Sequence, residues 1–227
     1  MAVAIITGAS RGLGLALARG LADDGWSLVI DGRQRPLLAA VADELATVTK
    51  VLAVPGDVAH EQHRHDLVAA ADELGGADVL INNAGILGPS PQPPLARYPV
   101  DVWRQVLEVN AVAPLRLIQL ALPQLEGNHG VIVNITSDAA AEPYAGWGGY
   151  GAAKAALDQL SAVLAVEHPA LRVYAVDPGD MRTQMHQEAF PSEDISDRPL
   201  PEESVPGIVR LLARRPASGR YQAREVA

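Results

Sequence analysis

Six short apolar runs, Val3–Thr7, Ser27–Asp31, Lys50–Val54, Asp78–Asn82, Gly130–Ile135 and Leu171–Val176, recur along the chain, and none of them alternates in polarity. A strand with one wet face must alternate. A strand buried on both faces need not, and such strands belong to parallel sheets covered by helices. Between the runs lie segments of helical length, Leu13–Asp24, Pro36–Thr47, Glu61–Leu74, Asp101–Leu125 and Tyr150–Glu167. Strand and helix in unbroken alternation imply right-handed crossovers and a Rossmann-like, doubly wound parallel α/β sheet with helices on both faces. Pro36 suits a first helical position. Asp101 is expected to cap the helix after the Pro-rich 89–99 loop, and Pro114 to separate or kink the segment that follows. A last helix is expected near Glu202–Arg214 and a short strand near Arg220–Gln222. No composition shift marks a second domain, so residues 1–227 read as one. The Pro/Ser/charge-rich stretch 180–201 reads as a long functional loop, a substrate lid.

The formal net charge of -9 argues against a nucleic-acid or anionic-membrane partner. The absence of cysteine excludes disulfides and thiolate metal sites. Met1 leads straight into the apolar run AVAIIT, without a basic leader, and no apolar segment approaches the roughly 20 residues that span a bilayer. The expectation is a soluble cytoplasmic protein.

After the first strand comes Gly8-Ala9-Ser10-Arg11-Gly12-Leu13-Gly14, then a helix rich in Ala, Leu and Gly. Glycines at this turn let backbone approach a pyrophosphate, and the free N–H groups at the helix start bind its charge. Its position, after the first strand and opening the first helix, gives the motif a mechanism. Further on, the stretch Asn134–Lys154 holds a hydroxyl at Ser137, a phenol at Tyr150 and an amine at Lys154. Tyr150 and Lys154, four apart, share one helix face, with Cβ atoms about 5–6 Å apart. A free tyrosine has a pKa of roughly 10, too high for acid–base work in both directions near neutrality. A nearby ammonium would lower it.

The spacing Thr7-Gly8-x-x-x-Gly12-x-Gly14 resembles that of the short-chain dehydrogenase/reductase family, and the resemblance extends over nearly the whole chain. Asp57-Val58 in GDV resembles the adenine-binding position. Asn82-Asn83-Ala84-Gly85 resembles the family's NNAG motif beside the cofactor. Asn110 matches its relay asparagine. Ser137, Tyr150 and Lys154 match its catalytic serine, tyrosine and lysine, with Ser137 and Tyr150 thirteen positions apart as in the family. Pro178-Gly179 with Thr183 resembles the P-G-x-x-x-T segment over the nicotinamide. The resemblance implies a nicotinamide-dependent oxidoreductase that interconverts a carbonyl and an alcohol. It also implies a homodimer or homotetramer built partly on the Asp101–Leu125 and Tyr150–Glu167 helices, although the family's D-G-G ending does not follow Gly219.

The second strand ends Val29-Ile30-Asp31-Gly32-Arg33. If Asp31 chelates the adenine ribose, the cofactor is NAD. If the discriminating position is Gly32, as the family pattern places it, Arg33 and Arg11 form a guanidinium pair for a 2′-phosphate. NADP is the reading adopted and NAD the alternative. Ser137, Tyr144, Trp147, Met181 and Met185 are expected to line an apolar substrate pocket, with His186 and Phe190 in the lid. His60, His63 and His65 read as a solvated helix start and not a metal site. Asp138 reads as a loop residue near the substrate, and Trp103 and Glu108 as packing or interface residues. Two other functions compete: a cofactor-binding regulatory or scaffold protein without turnover, and epimerase- or dehydratase-type chemistry.

Overall fold

A computed structural model describes residues 1–226; Ala227, the last residue of the expected domain, lies outside the described residues. The strands are β1 (Val3–Ile6), β2 (Ser27–Gly32), β3 (Val51–Pro55), β4 (Val79–Asn82), β5 (Val131–Ile135), β6 (Arg172–Asp177) and β7 (Gly219–Gln222). They form one parallel sheet in the order β3-β2-β1-β4-β5-β6-β7. The order reverses between β1 and β4. Doubly wound sheets bind ligands at such a switch point, outside the carboxyl ends of the strands.

The helices are α1 (Gly12–Asp23), α2 (Arg35–Leu45), α3 (Glu61–Glu73), α4 (Val100–Leu107), α5 (Ala113–Gly127), α6 (Gly148–Glu167), α7 (Gln184–Ala189) and α8 (Val205–Arg214). The failure of the strands to alternate now has its physical account. Ala4 and Ile6 of β1 pack with Leu17 and Leu21 of α1 and Ile208 and Leu211 of α8. Val3 and Ile5 pack on the other face with Leu67 of α3 and Leu117 and Ile118 of α5. Both faces are dry, so successive residues are all apolar. Beneath the carboxyl ends a buried polar chain ties β4, β5 and α6 together. Asn82 Nδ2 donates to Asn134 Oδ1 at 2.8 Å, and Asn134 Nδ2 donates to Ser161 Oγ at 2.8 Å.

Several boundaries differ from expectation. Pro99, not Asp101, precedes α4; Asp101 sits in its first turn and pairs with Arg104 at 2.6 Å. Pro114 neither breaks nor separates the helix. It follows a wide π turn at Glu108–Val112 that joins α4 to α5. Proline has no N–H, so the Asn110 carbonyl loses its α-helical donor and the backbone widens upstream. The joined helix Val100–Gly127 has 28 residues, and an 18-residue window within it has a mean hydropathy of 1.3, long and apolar enough by composition to cross a bilayer, against expectation. Leu117, Ile118, Ala121 and Leu125 are all packed into the core, which makes it a core helix. The 180–201 stretch is not wholly irregular: α7 lies within it.

Candidate active site

A cleft of about 1260 Å³ opens along the carboxyl ends of the strands. That exceeds the roughly 300–1,000 Å³ of an ordinary small-ligand pocket and leaves room for a dinucleotide with a second molecule. Its floor begins at the glycine loop. Gly8 and Gly12 take positive φ, +67° and +57°, which a side chain disfavours. No side chain caps α1, so the N–H groups of its first turn are free for an anion. Gly14 does not line the cleft. A Cβ there would lie 2.3 Å from the Gly8 carbonyl oxygen and 2.5 Å from Asn83 Nδ2, so its smallness lets the loop fold onto the helix. Thr7 is likewise buried beneath the loop, its Oγ1 accepting from the backbone N–H groups of Asn83 and Ala84 at 3.0 Å each.

Ser10, Arg11, Gly12, Leu13, Arg33, Asp57, Val58, Asn83, Ala84 and Gly85 all line the cleft. Arg11 is not paired with Arg33: its guanidinium donates to Gln184 Oε1 at the start of α7, joining the glycine loop to the segment above it. Asp31, at the end of β2, is 2% exposed. Its Oδ1 accepts the Gly8 N–H, and its Oδ2 is 2.9 Å from His63 Nε2. His63 therefore departs from the expected solvated helix start. It is 7% exposed, whereas His60 and His65 are exposed. No group of three potential metal ligands gathers among the described residues.

Ser137, Tyr150 and Lys154 line the same cleft, as do Pro178, Gly179 and Thr183, the last of these beside the glycine loop, where a Cβ at Gly12 would lie 3.7 Å from its Cγ2. Ser137 follows β5 and donates its hydroxyl to Asp138 Oδ1 at 2.8 Å. Tyr150 and Lys154, on the first turns of α6, are both buried. Lys154 Nζ lies 5.6 Å from the Tyr150 ring centroid and donates to the Ile135 carbonyl at 2.7 Å. Burial pulls the Lys154 amine down to about 8, with Asp158 opposing. Burial pushes the Tyr150 phenol well above its ordinary value, and the Asp177 and Asp138 carboxylates add to that. Within this chain alone Tyr150 is thus raised, not lowered as the helix spacing suggested. Asn110 does not line the cleft. It is fully buried in the π turn, where Oδ1 accepts the Ile86 N–H at 3.0 Å and Nδ2 donates to the Ile86 carbonyl at 2.8 Å.

Trp147, Met181 and Met185 also line the cleft, and Trp147 and Met185 pack against Tyr150. Trp147 packs edge-on against Tyr150, with ring centroids 5.9 Å apart. Tyr144 is not brought in. It is 47% exposed and donates to Asp138 Oδ2 at 3.0 Å. Two residues escaped the sequence reading. Asp177, at the end of β6, is 5% exposed and accepts from the Gly179 N–H at 2.9 Å. Arg220, on β7, donates to the Ser137 carbonyl at 3.0 Å and lies 3.4 Å from Asp177 and 3.1 Å from Asp158. Neither stands in a motif, and only the pairing of β6 with β7 carries Arg220 under the serine.

Comparison with known proteins agrees with this fold. The model of the short chain dehydrogenase family matches residues 2–194. The chain is 31% identical to serine 3-dehydrogenase of Agrobacterium fabrum over 223 residues, 93% of this chain and 88% of that protein. Among solved structures, the E. coli oxidoreductase yciK superposes with a TM-score of 0.91 at 30% identity, covering 98% of this chain and 95% of that one. An alcohol dehydrogenase from the archaeon Thermococcus sibiricus, complexed with 5-hydroxy-NADP, gives a TM-score of 0.86 at 28% identity, covering 98% and 95%. The chain belongs to the short-chain dehydrogenase family of oxidoreductases.

Proposed function

We propose that the protein is a cytoplasmic, NADP-dependent oxidoreductase that interconverts a ketone or aldehyde and the corresponding alcohol, with Tyr150 as acid and base. The observation that carries this reading is the convergence of Ser137, Tyr150 and Lys154 on one wall of a cleft whose other end is a glycine-rich phosphate turn. The residues fit a dinucleotide. The uncapped α1 suits the pyrophosphate, Asp57 and Val58 the adenine, and Lys154 and the Pro178–Thr183 segment the nicotinamide riboside. The nicotinamide, when bound, supplies the hydride and in its oxidised form a positive ring charge. Burial of Asp31 beneath the glycine loop, with Arg33 exposed at the same strand end, supports NADP over NAD.

The chain's own groups then divide the work. Ser137 exchanges Asp138 for the substrate oxygen and holds it beside the phenol. Tyr150, kept neutral by burial, gives its proton to that oxygen in reduction and takes it back in oxidation. Lys154 stabilises the phenolate through charge, and Asn110 braces the Ile86 backbone at the cleft wall. Trp147, Met181, Met185 and Leu87 offer an apolar surface, which suits a substrate with an apolar body, and residues 180–201 act as its lid. Exposed Trp103 on α4, Val112 and, on α6, Val163 and Val166 support a homo-oligomer built on these helices.

The test is absorbance at 340 nm with NADPH or NADH over a panel of ketones, aldehydes and quinones. Consumption is expected with NADPH and is lost in Tyr150→Phe while NADP⁺ binding persists. Near-normal turnover in that variant would refute the role of the phenol. Tight NADPH binding without turnover on any substrate would favour the regulatory reading.

A further inference from the structure

Arg64, on α3, is only 6% exposed, and an arginine is rarely buried so far unless its donors are engaged. Its Nε and Nη2 donate to Glu61 Oε2 at 3.2 and 2.9 Å. Glu61 is fixed in turn by Arg116 of α5, whose Nε donates to the other carboxylate oxygen at 2.8 Å. The remaining nitrogen, Nη1, donates twice: to the Val58 carbonyl at 2.6 Å and to Glu108 Oε1 at 3.4 Å. These two acceptors belong to separate segments, and each segment borders the cleft. Val58 lines it directly, and so does Val109, the neighbour of Glu108 in the π turn. The turn that carries Asp57 and Val58 is folded by its own short-range bonds, from the Ala59 N–H to Asp57 Oδ1 and from the His60 N–H to the Asp57 carbonyl, at 2.9 Å each. Such bonds set its shape but do not tie it to the opposite segment. Arg64 supplies that tie.

We propose that Arg64 is a positioning residue for the adenine subsite. Its Nη1 holds the Asp57–Val58 turn in register with the π turn at Glu108–Val112, so that Asp57 and Val58 meet the edge of the base in one fixed arrangement. A bond from a guanidinium is charge-assisted, shorter and stronger than a neutral one, which suits a single nitrogen to this task. Arg64 does not itself line the cleft, so it acts through these residues and not by touching the cofactor. The inference rests on the dinucleotide reading above, with Asp57 and Val58 at the adenine, and is independent of the choice between NADP and NAD.

The experiment is calorimetric titration of the full chain with NADP⁺ and with its hypoxanthine analogue, in which a 6-oxo group replaces the adenine 6-amino group. If NAD⁺ proves the tighter dinucleotide, NAD⁺ and its hypoxanthine analogue serve in the same way. The exchange inverts the donor and acceptor pattern of the base edge and leaves the ribose, phosphates and nicotinamide unchanged. Wild type binds the adenine form about tenfold more tightly, the scale of one hydrogen bond to a charged group. In Arg64→Met that ratio falls to within about twofold of unity, because the turn no longer holds one arrangement against the base. Arg64→Lys, which keeps a donor for the Val58 carbonyl, holds the ratio within about threefold of wild type. The Glu61 and Glu108 side chains are 46% and 38% exposed, so removing the guanidinium strands no buried charge. If circular dichroism shows that Arg64→Met does not fold, Arg64→Gln, too short to span both acceptors, is read in its place. An unchanged ratio in the variant, with both affinities lowered alike or not at all, would overturn this inference alone, since a general structural tie acts on both forms equally. A wild type that binds the dinucleotide without distinguishing the two bases would overturn the adenine assignment and this inference, leaving the oxidoreductase reading in place. A wild type that binds neither dinucleotide would overturn that reading as well.

Discussion

Replacing Lys154 with methionine separates what the amine costs the fold from what it does in the site. Burial lowers its pKa from 10.5 to about 8, so the folded protein gives up this proton more readily than the unfolded chain. The sign follows directly. Below pH 8 both states hold the proton and the full penalty of burying a charge is present. Between about 8 and 10.5 the unfolded state binds more protons, so stability rises with pH; above 10.5 the penalty is gone. From pH 7.5 to 9.5 this one group should stabilise the wild type by about 2 kcal/mol. Lys154→Met lacks the titration. It also loses the bond to the Ile135 carbonyl, a pH-independent cost of about 1–3 kcal/mol. Urea denaturation of both proteins at pH 7.5, 8.5 and 9.5 reads the difference. Subtracting one from the other cancels the tyrosines, whose raised values act in the opposite direction near pH 10. The stability of the wild type relative to the variant should grow by about 2 kcal/mol across the series. NADPH oxidation by the variant should meanwhile fall by about 10²-fold or more. A stability difference that stays flat with pH would refute the burial argument, and a variant that retains turnover would refute the catalytic one.

Gly14→Ala places a methyl against the Gly8 carbonyl, so the phosphate turn must move. Overpacking of this kind costs about 1–3 kcal/mol, read as a lower thermal midpoint, and NADP⁺ affinity should fall with it. Unchanged NADP⁺ affinity would show that the loop does not depend on that close contact. Arg220→Met leaves Asp177 without its guanidinium and the Ser137 carbonyl without a donor. The pH profile of kcat/KM for alcohol oxidation should shift to higher pH as Asp177 acts unopposed on Tyr150, while Arg220→Lys restores part of the shift. A profile that does not move in Arg220→Met would make this residue a structural tie only.

The sheet was legible because its physics is local and repeated. A strand dry on both faces has to be apolar at every position, and that shows in the runs themselves. The same holds for the glycine turn, for Tyr150 with Lys154, and for Ser137 at the end of a strand, since fixed spacing on a regular element sets which groups share a face. The elements not foreseen depend on contacts between distant segments. Pro114 could be seen to disturb a helix, but the neighbours of α4 and α5 determine that the disturbance is a π turn that buries Asn110. Tyr144 and Trp147 stand three residues apart in one loop; packing against Tyr150 and Phe190 turns only Trp147 inward. Arg220 reaches Ser137 across 83 positions of chain, through strand pairing that no motif records. Asp31 and His63 show the division most sharply. Each has an ordinary meaning where it stands, a ribose ligand and a solvated histidine, and each loses it because β2 and α3 bring them within 2.9 Å in the interior. Residue type and spacing prescribe the chemistry a chain can offer; the protonation, orientation and exposure of each group are settled by burial, which is a property of the assembled fold.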